Sequence, residues 1–268
     1  MSDFLQQMAK LSAERAEAVG RIHASDLDKP VAALQLGAFD IIAEIKGRSP
    51  AEGELAGADL DRVGQARDYV RGGAAAISVL TEPSRFDGTL AHLEEVAAAV
   101  PDTPVMRKDF LVDPVQVSEA RKAGASGVLL ITAMLSDDKL RAMLDCAFEL
   151  GMFVLLESFD EEDLARSNAL LGNPADHDRA SAGKLLVGIN TRNLRTLEVD
   201  GKRLERLAPL LPNARCVAES GLKTADDAAA VAGWGYSLAL VGSALMRSED
   251  PAGLVRDMRT AGSARVAA

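Results

Sequence analysis

Short apolar runs recur along this sequence at intervals of about one strand plus one helix, and polar residues end most of them. Eight such runs are visible, at 41–46, 75–81, 105–108, 127–132, 153–157, 185–190, 215–219 and 237–242. Near-continuous stretches of Val, Ile, Leu and Ala are typical of strands buried on both faces, as in a parallel sheet covered by helices. The polar residues that end these strands are therefore expected to meet along one rim of the sheet.

Amphipathic stretches occupy the intervals and predict helices. They cover 60–71, 90–99, 114–123, 137–150, 161–170, 201–211, 224–233 and 251–260. Several begin at Asp, Ser or Thr and end at Gly, which are the residues that cap helices. Eight strands alternating with eight helices predict an α/β fold, the (β/α)8 TIM barrel, with an open doubly wound sheet as the alternative.

Three segments fall outside this alternation. Residues 3–19 carry apolar positions at helical spacing, so we expect an N-terminal helical extension, 1–38, that covers one end of the barrel. The polar stretch 168–184 is interpreted as a long loop or as an elongated fifth helix with its connection. The segment 261–268 is expected to be a disordered tail. No linker divides the sequence, so 1–268 is expected to form a single domain.

Composition and charge narrow the class of function. Of the 268 residues, 26% are charged and 48% hydrophobic, which is typical of a soluble globular protein. The formal net charge of −10 argues against nucleic-acid and anionic-membrane partners, because both need clustered Lys and Arg. Without a secretory signal or a bilayer-length apolar stretch, a cytoplasmic location is expected. Cys146 and Cys216 fit buried hydrophobic positions better than a disulfide or a metal site.

Charged and amide side chains end five of the predicted strands. Glu44 and Lys46 share one face of the first strand, and that face cannot lie against helices without burying two charges in an apolar layer. Both side chains are therefore expected to point into the barrel mouth. The same reasoning applies to the polar residues that end later strands, which are Lys108, Glu157, Asn190 and Glu219.

Gathered in one place, these groups predict acid–base chemistry. A single Lys or Glu at a strand end is more often a paired structural ion than a catalyst. Two lysines and three carboxylates in one space shift each other's proton affinities, so that one site holds both a proton donor and a proton acceptor. The expected substrate is an anionic small molecule, and no metal is needed.

Phosphate is the expected anion. In barrels of this type, the loops after the seventh and eighth strands offer backbone N–H groups to a phosphate. Here those loops contain Ser220 and Gly221 after the seventh strand and Gly242 and Ser243 after the eighth, where glycine permits close approach and serine adds a hydroxyl donor. Ser49, just past the first strand, is a third candidate contact.

Six strings of residues follow one another in the chain: IAEIK at 42–46 with SP at 49–50, SVLTE at 78–82, RKDF at 107–110, GINTRNL at 188–194, AESG at 218–221 and VGSALM at 241–246. Together they are similar to the indole-3-glycerol phosphate synthase family of tryptophan biosynthesis, and the similarity runs from about 39 to 246. The resemblance implies a cofactor-free lyase. Its reaction closes 1-(2-carboxyphenylamino)-1-deoxyribulose 5-phosphate to indole-3-glycerol phosphate and releases carbon dioxide and water.

The resemblance also implies roles for the candidate residues. Lys108 is expected to be the general acid that polarises the substrate's ketone during ring closure. Glu44, Lys46 and Glu157 are expected to manage the proton transfers of the dehydration, with the acid and the base among them left open.

Further residues are implied to bind substrate. Asn190, Arg192, Glu219 and Ser220 are expected to position its hydroxyl and carboxylate groups, while Ser49, Gly221, Gly242 and Ser243 hold the phosphate. Phe86, Phe110 and Leu194 are expected to enclose the anthranilate ring, although ordinary packing explains each of the three equally well.

The loop after the first strand departs from the family pattern, with Gly47 and Glu52 where relatives often have basic residues. This leaves open a related barrel enzyme acting on another aminodeoxyketose phosphate, or a non-catalytic phosphate-binding barrel. A phosphoribosylanthranilate isomerase would be expected to have a cysteine near the end of the first strand, and a lysine-imine enzyme would use Lys108 or Lys46 as a nucleophile. The expected partners are a phosphorylated small molecule, at most one further copy in a weak homodimer, and other tryptophan-pathway enzymes.

Overall fold

Eight parallel strands close into a barrel in the computed structural model, which describes residues 3–49, 53–55, 60–195 and 198–267. The barrel strands are β1 (Asp40–Ile45), β2 (Ala76–Leu80), β3 (Val105–Lys108), β4 (Gly127–Ile131), β5 (Phe153–Ser158), β6 (Leu185–Asn190), β7 (Arg215–Glu219) and β8 (Leu238–Val241). Each strand pairs with its neighbours in sequence, and β1 pairs with both β2 and β8. The closure confirms the TIM-barrel prediction and excludes the open sheet.

Helices surround the barrel and follow the strands in the expected order. They are α1 (Asp3–Glu17), α2 (Arg62–Gly72), α3 (Pro83–Phe86), α4 (Leu90–Ala99), α5 (Pro114–Lys122), α6 (Asp137–Glu149), α7 (Glu161–Leu170), α8 (Pro174–Ser181), α9 (Arg203–Leu207), α10 (Ala225–Gly233), α11 (Ser243–Met246) and α12 (Pro251–Val266). Short 3-10 turns lie at Ala24–Leu27, Thr132–Met134 and Ala208–Leu210. Side-chain caps begin many of these helices; the Asp113 and Thr224 side chains, for example, accept first-turn N–H groups.

Helix α1 packs beside the carboxyl ends of the strands. Its apolar side carries Leu5 and Met8, both fully buried. Phe4 meets the Phe110 ring edge-on, with the ring centroids 5.9 Å apart. Ser12 accepts a hydrogen bond on its hydroxyl from the side-chain amide of Gln116, 2.9 Å away. The helix therefore covers the end of the barrel where the polar strand ends lie.

The segment 168–184 is neither a long loop nor an elongated fifth helix. Helix α7 ends at Leu170, and a separate helix, α8, begins at Pro174. Asn173 caps α8 by accepting the N–H of Ala175, and Pro174 has the fixed φ that suits a first helical position. The buried carboxylate of Asp176 then ties α8 to Arg141 on α6.

The prediction of a disordered tail at 261–268 is also wrong for the described part of that segment. Helix α12 continues through Val266. Gly262 is buried against the ring of Phe39, where an added Cβ would lie 2.2 Å from a ring carbon. The Ser263 hydroxyl donates to the Phe39 carbonyl at 3.3 Å. Small residues let this last turn pack on the barrel, and that packing keeps it helical.

Two other features bear on the sequence predictions. Among the described residues, no helix is long and apolar enough to cross a membrane. Cys216 is buried in β7 and Cys146 is half-buried on α6, and both are free thiols. Burial raises the pKa of both thiols, so they stay protonated and are poor nucleophiles.

Candidate active site

A buried carboxylate lies between two ammonium groups at the carboxyl end of β1. Glu44 Oε1 is 2.7 Å from Lys46 Nζ, and Glu44 Oε2 is 3.2 Å from Lys108 Nζ at the end of β3. Burial by itself would raise the pKa of Glu44, but the two lysines outweigh burial and lower that pKa to about 2. Glu44 is therefore ionised at every physiological pH.

Lys108 has the opposite perturbation. Burial by itself would lower its pKa, but the carboxylates of Glu44, Glu157 and Glu219 raise the pKa above the ordinary lysine value. The side chain remains 17% exposed, so the ammonium group reaches the cavity above it. Lys108 is thus a permanently charged donor held among three carboxylates.

Glu157 and Asn190 form a second pair on the adjacent strands β5 and β6. Asn190 Nδ2 donates to Glu157 Oε2 at 3.1 Å, and Asn190 Oδ1 accepts the backbone N–H of Arg192 at 2.9 Å. These two bonds fix the orientation of the amide. Within the described chain, Glu157 Oε1 is buried with no hydrogen-bond partner, so it is available to a bound molecule.

Glu219 lies at the end of β7, opposite Asn190 in the strand register. It is buried and does not line the cavity, and its carboxyl group forms a hydrogen bond with that of Glu157. Burial and the neighbouring Glu157 carboxylate raise its pKa well above the ordinary value. Gly188 makes room for it, because an added Cβ there would lie 2.0 Å from Glu219 Oε1. Glu219 therefore affects the electrostatic potential of the cavity from beneath its floor.

A cavity of about 810 Å³ opens above these groups. Of the predicted site residues, it is lined by Glu44, Lys46, Lys108, Glu157, Asn190, Arg192, Ser220, Gly221, Gly242, Ser243, Phe86, Phe110 and Leu194. The structure thus brings thirteen of the fifteen candidates around one space. Glu219 lies beneath it, and the side chain of Ser49 lies outside the described residues, as do Pro50 and Glu52 of the altered loop.

One wall of the cavity is aromatic. The Phe86 and Phe110 rings lie 6.1 Å apart and are tilted by 39°. Phe4 of α1 adds a third ring beside Phe110, and Leu194 also lines the cavity. A flat apolar group of aromatic size can pack against this wall.

The loops after β7 and β8 lie on another part of the wall. Ser220 and Gly221 both have left-handed backbones, with φ of 68° and 84°. A positive φ is uncommon for a residue with a side chain, so the backbone of Ser220 is strained at the edge of the cavity. Gly242 lies directly against the acid–base cluster, because an added Cβ would come within 2.4 Å of Glu44 Oε1. Glycine suits Gly221 because of its positive φ and Gly242 because of the close approach of Glu44.

The sequence analysis missed several residues that line the cavity. They are chiefly Phe4, Thr191, Lys223 and Arg247. Lys223 and Arg247 add positive charge beside the two loops, which an anion would require in a chain of net charge −10. Phe4 lies in the segment predicted as an N-terminal helix, and Thr191 stands within the GINTRNL string, directly after Asn190.

A closed (β/α)8 barrel with lysine, carboxylate and amide groups at the carboxyl ends of its strands is the architecture of an acid–base enzyme. The family model described as indole-3-glycerol phosphate synthase matches residues 6–258. The chain belongs to the indole-3-glycerol phosphate synthase family. It is accordingly a carboxy-lyase of tryptophan biosynthesis, as the resemblance of its six strings implied.

Comparisons with individual proteins agree with this assignment. The indole-3-glycerol phosphate synthase of a Nocardioides species is 48% identical over 230 residues, covering 85% of this chain and 83% of the relative. That of Mycobacterium leprae is 41% identical over 264 residues, covering 98% and 91%. Among solved structures, 3-hexulose-6-phosphate synthase from Salmonella typhimurium superposes with a TM-score of 0.60 over 83% of this chain and 98% of that one. At 16% identity, this last likeness shows the fold alone.

Proposed function

We propose that the cavity closes 1-(2-carboxyphenylamino)-1-deoxyribulose 5-phosphate to indole-3-glycerol phosphate, with Lys108 as the general acid of ring closure. The observation that carries this proposal is the ammonium of Lys108, held charged by Glu44 at 3.2 Å inside a cavity with an aromatic wall. A fixed positive donor aimed at the place where negative charge develops is the arrangement that lowers such a barrier most.

Ring closure joins the aromatic carbon that bears the carboxylate to the ketone carbon of the open-chain sugar. As this bond forms, the ketone oxygen becomes an alkoxide, and Lys108 gives it a proton. An alkoxide is a stronger base than a lysine amine, so the transfer is favourable even though neighbouring carboxylates raise the pKa of Lys108. Loss of carbon dioxide then returns its bonding electrons to the ring and restores aromaticity.

Dehydration follows and needs one acid and one base. The hydroxyl made from the ketone leaves as water after a second protonation, and removal of the proton from the adjacent C–H group completes the indole. Lys46 is the acid best positioned beside Glu44, while Glu157 is the base, because its carboxylate lines the cavity and its Oε1 accepts no N–H group among the described residues. Glu44 is a poor base, since two lysines hold its pKa at about 2. The overall reaction consumes one proton, which replaces the charge lost with the carboxylate.

Binding the substrate at both of its ends lowers the activation barrier further. The anthranilate ring packs against the wall that Phe86 and Phe110 form, and the phosphate binds at Gly221, Gly242 and Ser243 with Lys223 and Arg247 nearby. Fixing both ends of a flexible sugar brings the ring carbon and the ketone together. Such positioning removes a large entropic part of the barrier, up to about 7–11 kcal/mol in well-oriented intramolecular reactions.

The test is conversion of the substrate by the purified protein. We expect indole fluorescence to grow in step with released carbon dioxide, at one equivalent of each per substrate consumed. Binding of the compound without conversion would overturn the proposal and would favour a related barrel enzyme or a phosphate-binding protein.

A further inference from the structure

Buried polar atoms without a protein partner mark the surfaces that a ligand is built to meet, because native structures leave few of them elsewhere. In the part of the chain that the structure describes, such atoms at the cavity are Glu157 Oε1, Thr191 Oγ1 and Glu44 Oε2, the last of which has only its ion pair with Lys108. The carboxylates already have a place in the acid–base chemistry. Thr191 has none, although it is only 3% exposed and lines the cavity.

Three hydrogen bonds fix the main chain of Thr191. Its N–H donates to the Glu219 carbonyl at 3.0 Å, and its own carbonyl accepts from Arg203 Nη1 at 2.8 Å and from the N–H of Asp200 at 2.9 Å. Arg203 is itself buried and also binds the Asn190 carbonyl at 2.9 Å. The backbone that carries the hydroxyl is therefore fixed before any ligand arrives.

The hydroxyl of Thr191 occupies the middle of the site. On one side it follows Asn190, which is bonded to Glu157 at the reacting end. On the other side it faces Gly221 in the proposed phosphate loop, where an added Cβ would lie 3.7 Å from Thr191 Oγ1. A molecule that spans these two ends presents its central atoms to this hydroxyl.

We propose that Thr191 Oγ1 binds one of the two secondary hydroxyls that lie between the ketone and the phosphate of the open-chain sugar, and that it thereby selects polyol phosphates over deoxy analogues. This inference rests on the proposed function, because it takes the same molecule as the ligand. A threonine hydroxyl both donates and accepts, so it suits a sugar hydroxyl, which does the same.

The test uses two variants that separate the hydroxyl from the methyl group. Thr191→Ser keeps the hydroxyl, whereas Thr191→Val keeps the branched shape and removes it; Thr191→Ala serves in place of Val if that variant fails to fold. Thr132→Val is the matched control, because Thr132 is a buried strand-end threonine whose Oγ1 lies 3.5 Å from Ser167 Oγ and does not line the cavity.

Kinetics are measured with the full substrate and with its 3-deoxy and 4-deoxy analogues. We expect Thr191→Val to lower kcat/KM for the full substrate about tenfold, mainly through KM, while Thr191→Ser and Thr132→Val stay within about threefold. For one of the two analogues the loss caused by Thr191→Val should disappear.

Two results would overturn the inference. Either Thr191→Val leaves kcat/KM unchanged, so that water alone satisfies the hydroxyl, or it lowers kcat/KM equally for all three compounds, so that its role is packing. Failure of the proposed function gives a different result, since the unmodified enzyme would then not convert the full substrate. In that event, calorimetric binding of the full substrate to the same variants decides the point, and equal affinities would overturn the inference.

Discussion

Glu44 Oε2 lies 3.2 Å from Lys108 Nζ, and this contact joins the ends of two strands that are not neighbours in the barrel, β1 and β3. Glu44 also lies 2.7 Å from Lys46 Nζ, so one carboxylate contacts both lysines. The contact holds the two lysines close together at the place where a phosphate and a carboxylate must bind.

Glu44→Gln should lower the pKa of Lys108, since the mutation removes the strongest of the three carboxylate influences that raise it. Wild type should show no loss of kcat from Lys108 deprotonation up to pH 10, whereas Glu44→Gln should begin to lose kcat below pH 10, and its kcat at the optimum should fall about 10²-fold or more. The measurement is kcat between pH 6 and pH 10.

The matched control is Asp40→Asn, which removes a buried, ion-paired carboxylate from the other end of β1, where Asp40 binds Arg259 Nε at 2.8 Å. That variant should lose stability and keep the wild-type pH profile. A Glu44→Gln profile that is as flat as wild type up to pH 10 would contradict the assignment.

Glu219→Gln should make the protein more stable at neutral and alkaline pH. Burial and the Glu157 carboxylate raise the pKa of Glu219, so the folded protein binds its proton more tightly than the unfolded chain does. Glu219 therefore costs stability once the pH rises above its unfolded pKa of about 4.3.

Chemical unfolding at pH 5 and at pH 8 checks this prediction. We expect the variant to gain about 1–3 kcal/mol over wild type at pH 8 and less at pH 5. An advantage that is the same at both pH values would count against the raised pKa.

Glu157→Gln should remove the base of dehydration while leaving the hydrogen bond to Asn190 possible. We expect kcat to fall about 10²- to 10⁴-fold with little change in KM. Glu161→Gln, a change at an exposed carboxylate that pairs with Arg206 on the surface, should behave as wild type. If KM rises and kcat is kept, Glu157 binds substrate rather than moving a proton.

Arg15 should anchor α1 to the barrel through the residue that follows Lys108. Its Nη2 lies 2.6 Å from Asp109 Oδ1, and the Asp109 carboxylate is fully buried. Arg15→Gln should lower the free energy of unfolding by about 1–3 kcal/mol. Thermal and chemical unfolding measure this loss, and Arg85→Gln, which breaks an exposed contact with Gln7 of α1, should cost less. Equal losses in the two variants would contradict an anchoring role for Arg15.

The alternation of strands with helices and the polar residues at the strand ends could be predicted from the sequence, because short stretches of neighbouring residues determine both. A parallel strand buried on both faces admits a Lys or Glu only at its end, so Lys108 and Glu157 were visible without knowledge of the fold. Barrel closure then gathers them, since every strand contributes its carboxyl end to the same rim.

Other features depend on contacts between distant parts of the chain. Helix α8 and the last turns of α12 are stabilised by partners far away in sequence, such as Arg141 for Asp176 and Phe39 for Gly262. The exposed or buried state of Thr191 also follows from the closed barrel rather than from its neighbours in the chain. The sequence does contain a signal for α8, because Asn173 followed by Pro174 is a typical helix start.

The most direct test of the central claim is a single-turnover measurement on Lys108→Ala, with Lys122→Ala, an exposed lysine paired with Asp26, as the control. With enzyme in excess over substrate, we predict that Lys108→Ala still binds the compound and keeps its fold. Its rate of indole formation should nevertheless fall at least about 10³-fold, because the donor to the developing alkoxide is gone. A rate within about tenfold of wild type would contradict the assignment of Lys108 as the general acid.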